Sequence, residues 1–384
     1  MSYVIDAVEA VQNGKCSYCK FLSANDTGKT GAHQSGIYVS KPAVPILFDE
    51  PGVRGTNKDK FVEIKWMDGT TTSNRFIYYG QGTRNEYRIT RFGRGFPYLK
   101  PEYIGSLFVL VEGQDGSYSA FLFDDDEDIQ DFLNSLGISP TETNDLILLK
   151  DHPKKMTFDE LLAFVSDYTD FPSAKTMSEK AWELVKKTNP RMHDPDEEVL
   201  ALFDTEYKLY RAIEEKIYKP KILAGFHSVD DFEALAAQLM NRRKSRAGKS
   251  LENHLEQIFR SENLRFDTQV VTEENKTSDF MFPSSAAYHD PHFDSDKIIA
   301  LGAKTTCKDR WRQVLNEANR VRDKRKFLCT LQQGVSATQL AEMDYEKLTL
   351  VVPKKYISDY PSEWQEKIWS LDRFISYVKE TEKE

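Results

Sequence analysis

Cysteine is scarce in this sequence, and long apolar runs are missing from it. The 384 residues include four cysteines, and no stretch approaches the ~20 apolar residues that cross a bilayer. The N-terminus lacks the charged and then apolar pattern of a secretory signal peptide, and neither internal repeats nor low-complexity segments are visible. These absences argue against a disulfide scaffold, a membrane protein and a repeat protein, and they predict a protein of the reducing cytoplasm.

Composition and charge are those of a globular protein with two or three domains. Apolar residues make up 40% and charged residues 29% of the chain, and the net charge is −9. A negative total disfavours a protein that coats nucleic acid, but basic residues are concentrated locally. Residues 74–95 contain five arginines and one glutamate, and residues 241–250 (NRRKSRAGKS) contain five basic residues and no acid.

The acidic residues are concentrated in FDDDEDIQDFL, which starts at Phe123. This run predicts the start of a helix, because acids favour the positive end of the helix dipole. A phosphate-mimicking tail fits less well, because apolar residues interrupt the run.

Cys16 and Cys19 form a CxxC motif, but its surroundings do not favour a metal or redox site. No second pair of zinc ligands lies nearby. A thioredoxin-like site needs a preceding strand, and VEAVQNGKCSYCK reads as helical. Structural thiols are therefore the favoured interpretation, and Cys307 and Cys329 stand alone.

The first half of the chain is predicted to be mainly β, and the remainder mixes helices with strands. Short apolar or alternating runs with Gly, Asn and Asp turns between them predict a barrel or sandwich: SGIYVSK, FVEIKWM, NRFIYYG, YIGSLFVLVEG, YSAFLF and DLILLK. Helical spacing follows in MTFDELLAFVSDY, KTMSEKAWELVKK and EEVLALFDTEYKLYRAIEEKIY, with TDFPSAK as a linker. Beyond Val229 the predicted helices are DFEALAAQLMNRR, GKSLENHLEQIFRSENL and WRQVLNEANRVRD, and the predicted strands are DTQVVTE, SDFMFP, KIIALGAK, KFLCTL and LTLVVP. Such alternation predicts an α/β sheet.

Asp279 and Lys304 are the first candidates for a catalytic site. Asp279 begins the predicted strand SDFMFP, and Lys304 ends the predicted strand KIIALGAK. A carboxylate at a sheet end can hold Mg²⁺, which takes oxygen ligands, and a nearby lysine can stabilise negative charge on a phosphate. The usual second acid lies two residues before such a lysine, but that position is Gly302. A strand-start turn residue and a solvated lysine remain the alternative interpretation.

The missing acid has candidates on two predicted helices. Trp311, Val314, Leu315 and Ala318 form the buried stripe of the helix after Lys304, and Glu317 lies along a different stripe. If this helix packs against the strand end, Glu317 reaches the site. In GKSLENHLEQIF a further acid is available, Glu252 being preferred to Glu256.

The basic residues of NRRKSRAGKS are candidates for phosphate contacts, which need clustered Lys and Arg. A solvated helix face is the alternative. The candidates are Arg242, Arg243, Lys244, Arg246 and Lys249.

Several long strings of this sequence resemble the EcoRII restriction endonuclease family. They are NRRKSRAGKSLE, SDFMFPSSAAYHD and AKTTCKDRWRQVLNEA, with SANDTGKTGAHQSGIY and TRNEYRITRFGRG in the first half. The resemblance implies an α+β multidomain protein with an N-terminal β pseudobarrel that binds effector DNA and a C-terminal α/β/α PD-(D/E)XK nuclease domain. It implies Asp279 and Glu317 as ligands of Mg²⁺ and Lys304 as the catalytic lysine. The spacing of thirteen residues from Lys304 to Glu317 matches relatives in which the second acid has moved onto the following helix.

The same resemblance gives roles to neighbouring residues. Glu252 is a further active-site candidate, and Tyr288 and Lys308 are candidates for accessory active-site roles. Lys308, Asp309 and Arg310 match a triplet that reads guanine and cytosine, since Arg or Lys donates to guanine and Asp accepts from cytosine. A capped helix start with an ion pair is the alternative for Asp309.

In the first half, TRNEYRITRFGRG alternates in β fashion, so that Arg84, Glu86 and Arg88 share one face of an extended strand. They form either a major-groove reader or a ladder of ion pairs. By resemblance the effector-DNA contacts are His33, Tyr38, Arg84, Glu86, Arg88, Arg91 and Arg94. Family members can carry a lysine where this chain has Gly82, which implies weaker contact with DNA there.

The prediction is a type IIE restriction endonuclease that cuts double-stranded DNA at a CCWGG-like site with Mg²⁺ and is activated by a second copy of the site. Predicted domains are 1–165 (effector), 166–178 (linker) and 179–384 (catalytic). A homodimer is expected because a palindrome has two symmetric scissile bonds. A cognate methyltransferase is expected to act on the same site without direct binding. The alternatives are a structure-specific or repair nuclease and a DNA-binding regulator with a decayed nuclease domain.

Overall fold

A computed structural model describes residues 3–28, 36–148, 163–166 and 168–383. The chain folds into two compact units, and each combines one long segment with two shorter segments from later in the sequence. The first comprises Met1–Lys150, Gln332–Asp344 and Tyr356–Lys367, and the second comprises Asp151–Leu331, Tyr345–Lys355 and Ile368–Glu384. The hydrophobic pattern of the sequence does not indicate that the first unit includes Gln332–Asp344 and Tyr356–Lys367. The domain bounds 1–165, 166–178 and 179–384 stay a prediction.

The first unit is built on an eight-stranded sheet that forms a nearly closed barrel. Its strand order is β2-β5-β4-β3-β7-β6-β1-β8, and all its pairs are antiparallel except β3 with β7. The strands are β1 Cys16–Phe21, β2 Ile37–Val39, β3 Lys58–Trp66, β4 Thr71–Tyr79, β5 Glu86–Thr90, β6 Leu107–Glu112, β7 Tyr118–Phe123 and β8 Asp145–Leu146. The predicted β character of this half is confirmed.

Strands β1, β6 and β7 are buried on both faces, which explains their continuous apolar runs, whereas β3 is largely exposed. Phe108 and Leu110 of β6 face one core, while Val109 and Val111 face the other. Helices α1 (Val4–Asn13) and α2 (Asp126–Leu136) supply residues to the second core.

The acidic run does open a helix, as expected. The Asp125 side chain accepts from the Asp128 amide at 2.8 Å, and Gly137 ends α2 in the left-handed conformation. One prediction was wrong: CSYCK is strand β1, because its side chains alternate between the two cores after the helix has ended at Asn13. Cys19 is buried and burial raises the pKa of its thiol, which suits a structural role.

Three helices of the second unit pack together: α3 (Ala174–Thr188), α4 (Pro195–Ala224) and α5 (Val229–Ser261). Ser173 caps α3 and Asp194 caps α4 through their side chains. The prediction of two helices around NRRKSRAGKS was wrong, because α5 runs through this segment without a break. A β-carbon at Gly248 would meet no atom within 4 Å, so this glycine does not mark a turn. The predicted helix over MTFDELLAFVSDY lies mostly outside the described residues, of which 163–166 are helical.

A five-stranded sheet of order β13-β12-β11-β10-β9 forms the centre of this unit. The strands are β9 Asp267–Val271, β10 Thr277–Phe282, β11 Ile299–Lys304, β12 Lys326–Thr330 and β13 Leu348–Val351. Strands β11, β12 and β13 are parallel, while β9, β10 and β11 pair antiparallel. All five strands were predicted from the sequence.

Alternate residues of this sheet face two different layers. Phe280 and Phe282 contact Phe259 of α5 and Phe282 contacts Phe374 of α9 (Leu371–Lys383). Met281 faces the other side with Tyr288 of α6 (Ser285–His289). The remaining helices are α7 (Trp311–Val314) and α8 (Ala337–Tyr345), and 3₁₀ turns cover Lys41–Ile46, Pro101–Tyr103, Pro140–Glu142, Glu273–Asn275, Ser295–Lys297, Asn319–Val321, Lys354–Asp359 and Ser362–Lys367.

The predicted helix WRQVLNEANRVRD is shorter than expected. It ends at Val314, and a 3₁₀ turn follows at Asn319–Val321. Side-chain and backbone contacts hold the intervening segment, as shown below, and they replace the helical hydrogen bonds. Among the helices in the described parts of the chain, none is both long and apolar enough to cross a bilayer.

Candidate active site

Asp279 and Lys304 meet at one end of the second sheet. Oδ2 of Asp279 accepts hydrogen bonds from the Ala303 amide at 2.7 Å and from Nζ of Lys304 at 3.0 Å. Antiparallel pairing of β10 with β11 brings them together, because Phe280 lies opposite Leu301 and the register continues toward Lys304. The two side chains were predicted to lie at the ends of neighbouring strands; the structure brings them into an ion pair, with Lys304 as the last residue of β11 and Asp279 as the third residue of β10.

Glu317 joins this pair although it is not helical. Its Oε1 lies 4.0 Å from Nζ of Lys304, and its side chain is 15% exposed. Burial raises the pKa of the Glu317 carboxyl to about 7; the Lys304 charge opposes this shift and the Asp279 charge adds to it. The three side chains named from the sequence thus share one partly buried site.

The segment that carries Glu317 is fixed by its neighbours. The Thr272 hydroxyl donates to the Glu317 carbonyl at 2.6 Å. The Asn319 amide donates to Oε2 of Glu273 at 3.1 Å, and the ammonium of Lys326 donates to the Leu315 carbonyl. These contacts hold the chain in place where α7 has ended.

Tyr288 supports the same segment from α6. Its hydroxyl donates to Oε2 of Glu273 at 2.7 Å and accepts from the Arg320 amide at 3.3 Å. The Arg320 guanidinium donates to the carbonyls of Ala287, at 3.0 Å, and Phe293, at 2.8 Å. The hydroxyl of Tyr288 is therefore placed to position the loop of Glu317, and an accessory role for Tyr288 stays a prediction.

Glu252 reaches the site through a bridging amide. Nε2 of Gln269 donates to Oε2 of Glu252 at 3.0 Å and to Oδ1 of Asp279 at 3.1 Å. Glu252 also pairs with Lys249 at 2.8 Å, and its charge contributes to the raised pKa of Glu317. Glu256 instead pairs with Arg260 at 2.7 Å. Of the two acids, Glu252 is the one whose carboxylate connects with Asp279.

The residues present fit a divalent cation that takes oxygen ligands. Within the described residues, Oε2 of Glu317 is buried and has no hydrogen-bond donor. The same residues include no group of three Asp, Glu, His or Cys side chains arranged to hold a metal by themselves. A pair of carboxylates suits Mg²⁺, which commonly keeps several waters and takes one or two protein carboxylates.

The triplet after Lys304 precedes α7. Lys308 is buried, Asp309 is exposed and Arg310 is partly exposed. Arg310 is the N-cap of α7, and its side chain makes no capping hydrogen bond. The assignment of the triplet to base recognition stays a prediction.

The basic residues of α5 fall into two groups. The Arg243 guanidinium donates to Glu214 at 2.6 and 2.8 Å, Arg242 stacks on Phe171, and Arg246 stacks on Tyr207. Such contacts hold α5 against α4 and the segment before α3. Lys244 and Lys249 are exposed and are the better placed for phosphate contacts, which remain a prediction for all five.

The effector candidates cluster around β2 and β5. Tyr38 lies opposite Arg88, and the Arg88 guanidinium is 3.3 Å from the Glu86 carboxylate. Arg88 is buried and also donates to the Gly36 carbonyl at 3.3 Å. Arg84 precedes the strand, is exposed and stacks on Tyr79.

The other effector candidates lie outside that strand pair. Arg91 stacks on Phe61, and both Arg91 and Arg94 are exposed. Gly82 adopts a φ of 66° in the turn before β5, where a lysine would be strained. His33 lies outside the described residues. The DNA-contact roles of these residues stay a prediction.

Sequence analysis missed Gln269, Thr272, Glu273 and Arg320. Each acts through a hydrogen bond to a residue distant in sequence, and no spacing or motif signals such a contact. The polar residues of DTQVVTE were visible, but nothing in the pattern distinguishes Gln269 from an ordinary exposed strand residue.

The chain resembles known restriction enzymes in both halves. The domain family described as "EcoRII C terminal" matches residues 210–375, and that described as "Restriction endonuclease EcoRII, N-terminal" matches residues 11–145. The type II restriction enzyme EcoRII of Escherichia coli is 35% identical over 395 residues, covering 94% of this chain and 93% of that protein. The type II restriction enzyme SsoII of Shigella sonnei is 26% identical over 166 residues, covering 39% of this chain and 52% of its own length.

Among solved structures, metal-depleted Ecl18kI in complex with uncleaved DNA overlaps with a TM-score of 0.47 at 17% identity, covering 59% of this chain and 86% of that one. The restriction endonuclease PspGI–substrate DNA complex overlaps with a TM-score of 0.46 at 17% identity, covering 55% and 93%.

A barrel domain and an α/β domain that each match a restriction-endonuclease domain family define a type II restriction endonuclease, a DNA hydrolase. The similarity to EcoRII covers 94% of this chain and 93% of that protein, which narrows the class to one family. The chain belongs to the EcoRII family of type II restriction endonucleases.

Proposed function

We propose that the enzyme cuts double-stranded DNA at a CCWGG-like site, with Mg²⁺ as cofactor and with activation by a second copy of the site. The observation that carries the catalytic part is the meeting of Asp279, Lys304 and Glu317 within hydrogen-bond and ion-pair distance. Asp279 and Glu317 would hold the ion. When bound, Mg²⁺ would polarise the scissile phosphate and make a bound water more acidic.

The chain's own residues supply the remaining chemistry. The Lys304 ammonium can donate to a phosphate oxygen and stabilise the charge that develops there as the phosphodiester is attacked. The Ala303 amide fixes one oxygen of Asp279, which limits the orientations of that carboxylate. The buried Oε2 of Glu317 remains available to a cation or to a water.

A plasmid of known sequence tests this proposal. With Mg²⁺ present, we expect cleavage only at CCWGG-like sites, and mapped ends would give the cut positions. Cleavage that ignores sequence would contradict site specificity and would favour a repair or structure-specific nuclease. A plasmid with one site should be cut slowly and be stimulated by a short duplex that carries the site.

We propose that the first unit binds the second DNA copy through Tyr38, Arg84, Glu86, Arg88, Arg91, Arg94 and His33. The exposure of Arg84, Arg91 and Arg94 supports contacts with phosphates or base edges. In this proposal DNA binding there relieves an inhibition of cutting. A duplex that lacks the site should give no stimulation.

A homodimer is proposed because each strand of a palindrome needs an active site. The turn between α4 and α5 supports this with exposed apolar side chains: Ile222, Leu223, Phe226, Val229 and Phe232. Lys221 precedes this patch and Asp231 lies within it, between Val229 and Phe232, and both are exposed. In the proposed dimer a two-fold axis sets α4 of one copy against α5 of the other, which would pair these opposite charges.

Sedimentation of the full chain tests the dimer. Val229→Asp combined with Phe232→Asp should give a monomer that nicks DNA. Lys221→Glu should weaken the dimer, and adding Asp231→Lys should restore it. A double-aspartate variant that stays dimeric would exclude this surface.

Two further expectations complete the proposal. Bases at the centre of the site are proposed to leave the helix, which 2-aminopurine at that position would report by a rise in fluorescence on binding. The enzyme is proposed to act in the cytoplasm beside a methyltransferase that modifies the same site without binding it.

A further inference from the structure

Gln269 has an unusual backbone for its place in the sheet. It lies in β9, at the edge of the second sheet, between the paired residues Thr268–Phe280 and Val270–Ser278. This register sets Gln269 opposite Asp279. The φ of Gln269 is 52°, in the left-handed region that a residue with a side chain adopts at an energetic cost.

The side-chain amide of Gln269 donates hydrogen bonds to two carboxylates. Nε2 donates to Oδ1 of Asp279 at 3.1 Å and to Oε2 of Glu252 at 3.0 Å. The other oxygen of Asp279 is held by the Ala303 amide and by Lys304. One amide therefore links the acid on α5 to the acid on β10 and completes the hydrogen bonding of Asp279.

The strain is not needed to pair the strands. Residues on both sides of Gln269 are already paired with β10, and an extended residue would continue this pairing. Gln269 also lines an open cleft of about 520 Å³ with Asp267–Thr272, Ser285 and His289. Strained residues persist where the surroundings hold them, and they are concentrated at functional sites.

We infer that Gln269 is a positioning residue for the metal centre, which sets the orientation of the Asp279 carboxylate and recruits Glu252 beside it. This inference rests on the proposed metal-dependent function. Hydrogen bonds to a ligating carboxylate fix its direction, and their loss commonly lowers metal affinity 10- to 100-fold. Without the amide, Asp279 and Glu252 are neighbouring acids with no shared donor.

Gln269→Gly separates this role from a structural one. Glycine adopts a φ of 52° without the cost of a side chain, so thermal stability without metal should be equal or higher. The affinity of the full chain for Mn²⁺ can be measured from the loss of the free-ion electron paramagnetic resonance signal. This affinity should fall about 10- to 100-fold in Gln269→Gly. A residue with only a structural role would leave Mn²⁺ affinity unchanged.

Gln269→Asn and a double variant complete the test. Asparagine tolerates positive φ and keeps the amide but is one methylene shorter, so it should bridge the acids poorly and also weaken Mn²⁺ binding. In a Glu252→Gln background, Gln269→Gly should cost less than it does alone, because the two residues act together.

The outcomes are distinct. Wild-type protein that binds Mn²⁺ with the same affinity as Gln269→Gly overturns the role of Gln269 and leaves the proposed function intact. Wild-type protein that binds no Mn²⁺ overturns both.

Discussion

The carboxylate of Glu317 lies beside the space that a side chain at Gly302 would occupy. A β-carbon at position 302 would stand 3.5 Å from Oε2 of Glu317 and 2.7 Å from Cγ2 of Val314. The second acid usually lies two residues before the lysine, which is the position of Gly302 in this chain. Here the carboxylate beside that position belongs to Glu317, thirteen residues after Lys304. The missing side chain of Gly302 makes room for Val314, which precedes Glu317 by three residues, whereas 3.5 Å to Oε2 of Glu317 is an ordinary contact distance.

Gly302→Ala should therefore damage both the fold and the chemistry. The added methyl must displace Val314, which costs about 1–3 kcal/mol. The displacement moves the segment that carries Glu317, so the cleavage rate should fall roughly 10- to 100-fold. Gly248→Ala is the matched control, since a β-carbon there meets no atom within 4 Å, and helix propensity predicts a gain of about 0.5–1 kcal/mol. Equal activity of the two variants would contradict the role of Gly302.

Lys304→Ala should stop cleavage while sparing DNA binding. The ammonium is the cation hydrogen-bonded to Asp279 and lies near Glu317, and loss of one such charge-stabilising donor costs about 10²- to 10³-fold in rate. The measurement is cleavage with Mg²⁺ alongside duplex binding with Ca²⁺. Lys276→Ala is the control, because Lys276 pairs with the exposed Glu274 at 2.6 Å and surface ion pairs contribute little. Loss of duplex binding in Lys304→Ala would assign the lysine to binding instead.

The pKa of Glu317 predicts how stability without metal depends on pH. Burial raises this pKa from 4.5 to about 7, so the folded protein retains a proton that the unfolded chain releases. The resulting stabilisation is complete below pH 4.5 and is lost as the pH rises through 7, with an amplitude of roughly 3 kcal/mol. With a chelator present, wild type should lose stability relative to Glu317→Gln across this window. Parallel unfolding midpoints for the two proteins would exclude the shift.

Arg84 and Arg88 should respond differently to substitution by alanine. Arg84 is exposed, whereas Arg88 is buried with Glu86 and the Gly36 carbonyl. Arg84→Ala should weaken stimulation by a second duplex and leave thermal stability unchanged. Arg88→Ala should lose stimulation and also cost about 1–3 kcal/mol, because buried polar partners lose their donor. The exposed Arg54 is the control, and unaltered stimulation in both variants would remove this face from effector binding.

Local pattern predicted much of the fold. The alternation of FVEIKWM and NRFIYYG and the apolar run KIIALGAK each became a strand, because burial of one or both sheet faces leaves a direct mark in sequence. The pattern failed at CSYCK and at the helix after Trp311, where neighbouring segments decide the outcome. The inclusion of Gln332–Asp344 in the first unit depends on contacts distant in sequence.

The candidate site divides in the same way. Asp279 and Lys304 were visible because each lies beside an apolar run that predicts a strand, and Glu317 because its spacing matches a relocated acid. Gln269 and Glu273 were not, since an amide or acid in a turn or strand edge has no distinguishing period. Their roles come from hydrogen bonds that only the folded chain brings together.

Plasmid cleavage by matched carboxylate variants tests most directly whether Asp279 and Glu317 hold one divalent ion. Asp279→Asn and Glu317→Gln should each lose cleavage in Mg²⁺, and a chelator should abolish that of the wild type. Glu256→Gln, which alters an acid paired with Arg260 on the same unit, should cut at the wild-type rate. If Glu317→Gln cleaves at the same rate as Glu256→Gln, Glu317 does not belong to the catalytic centre.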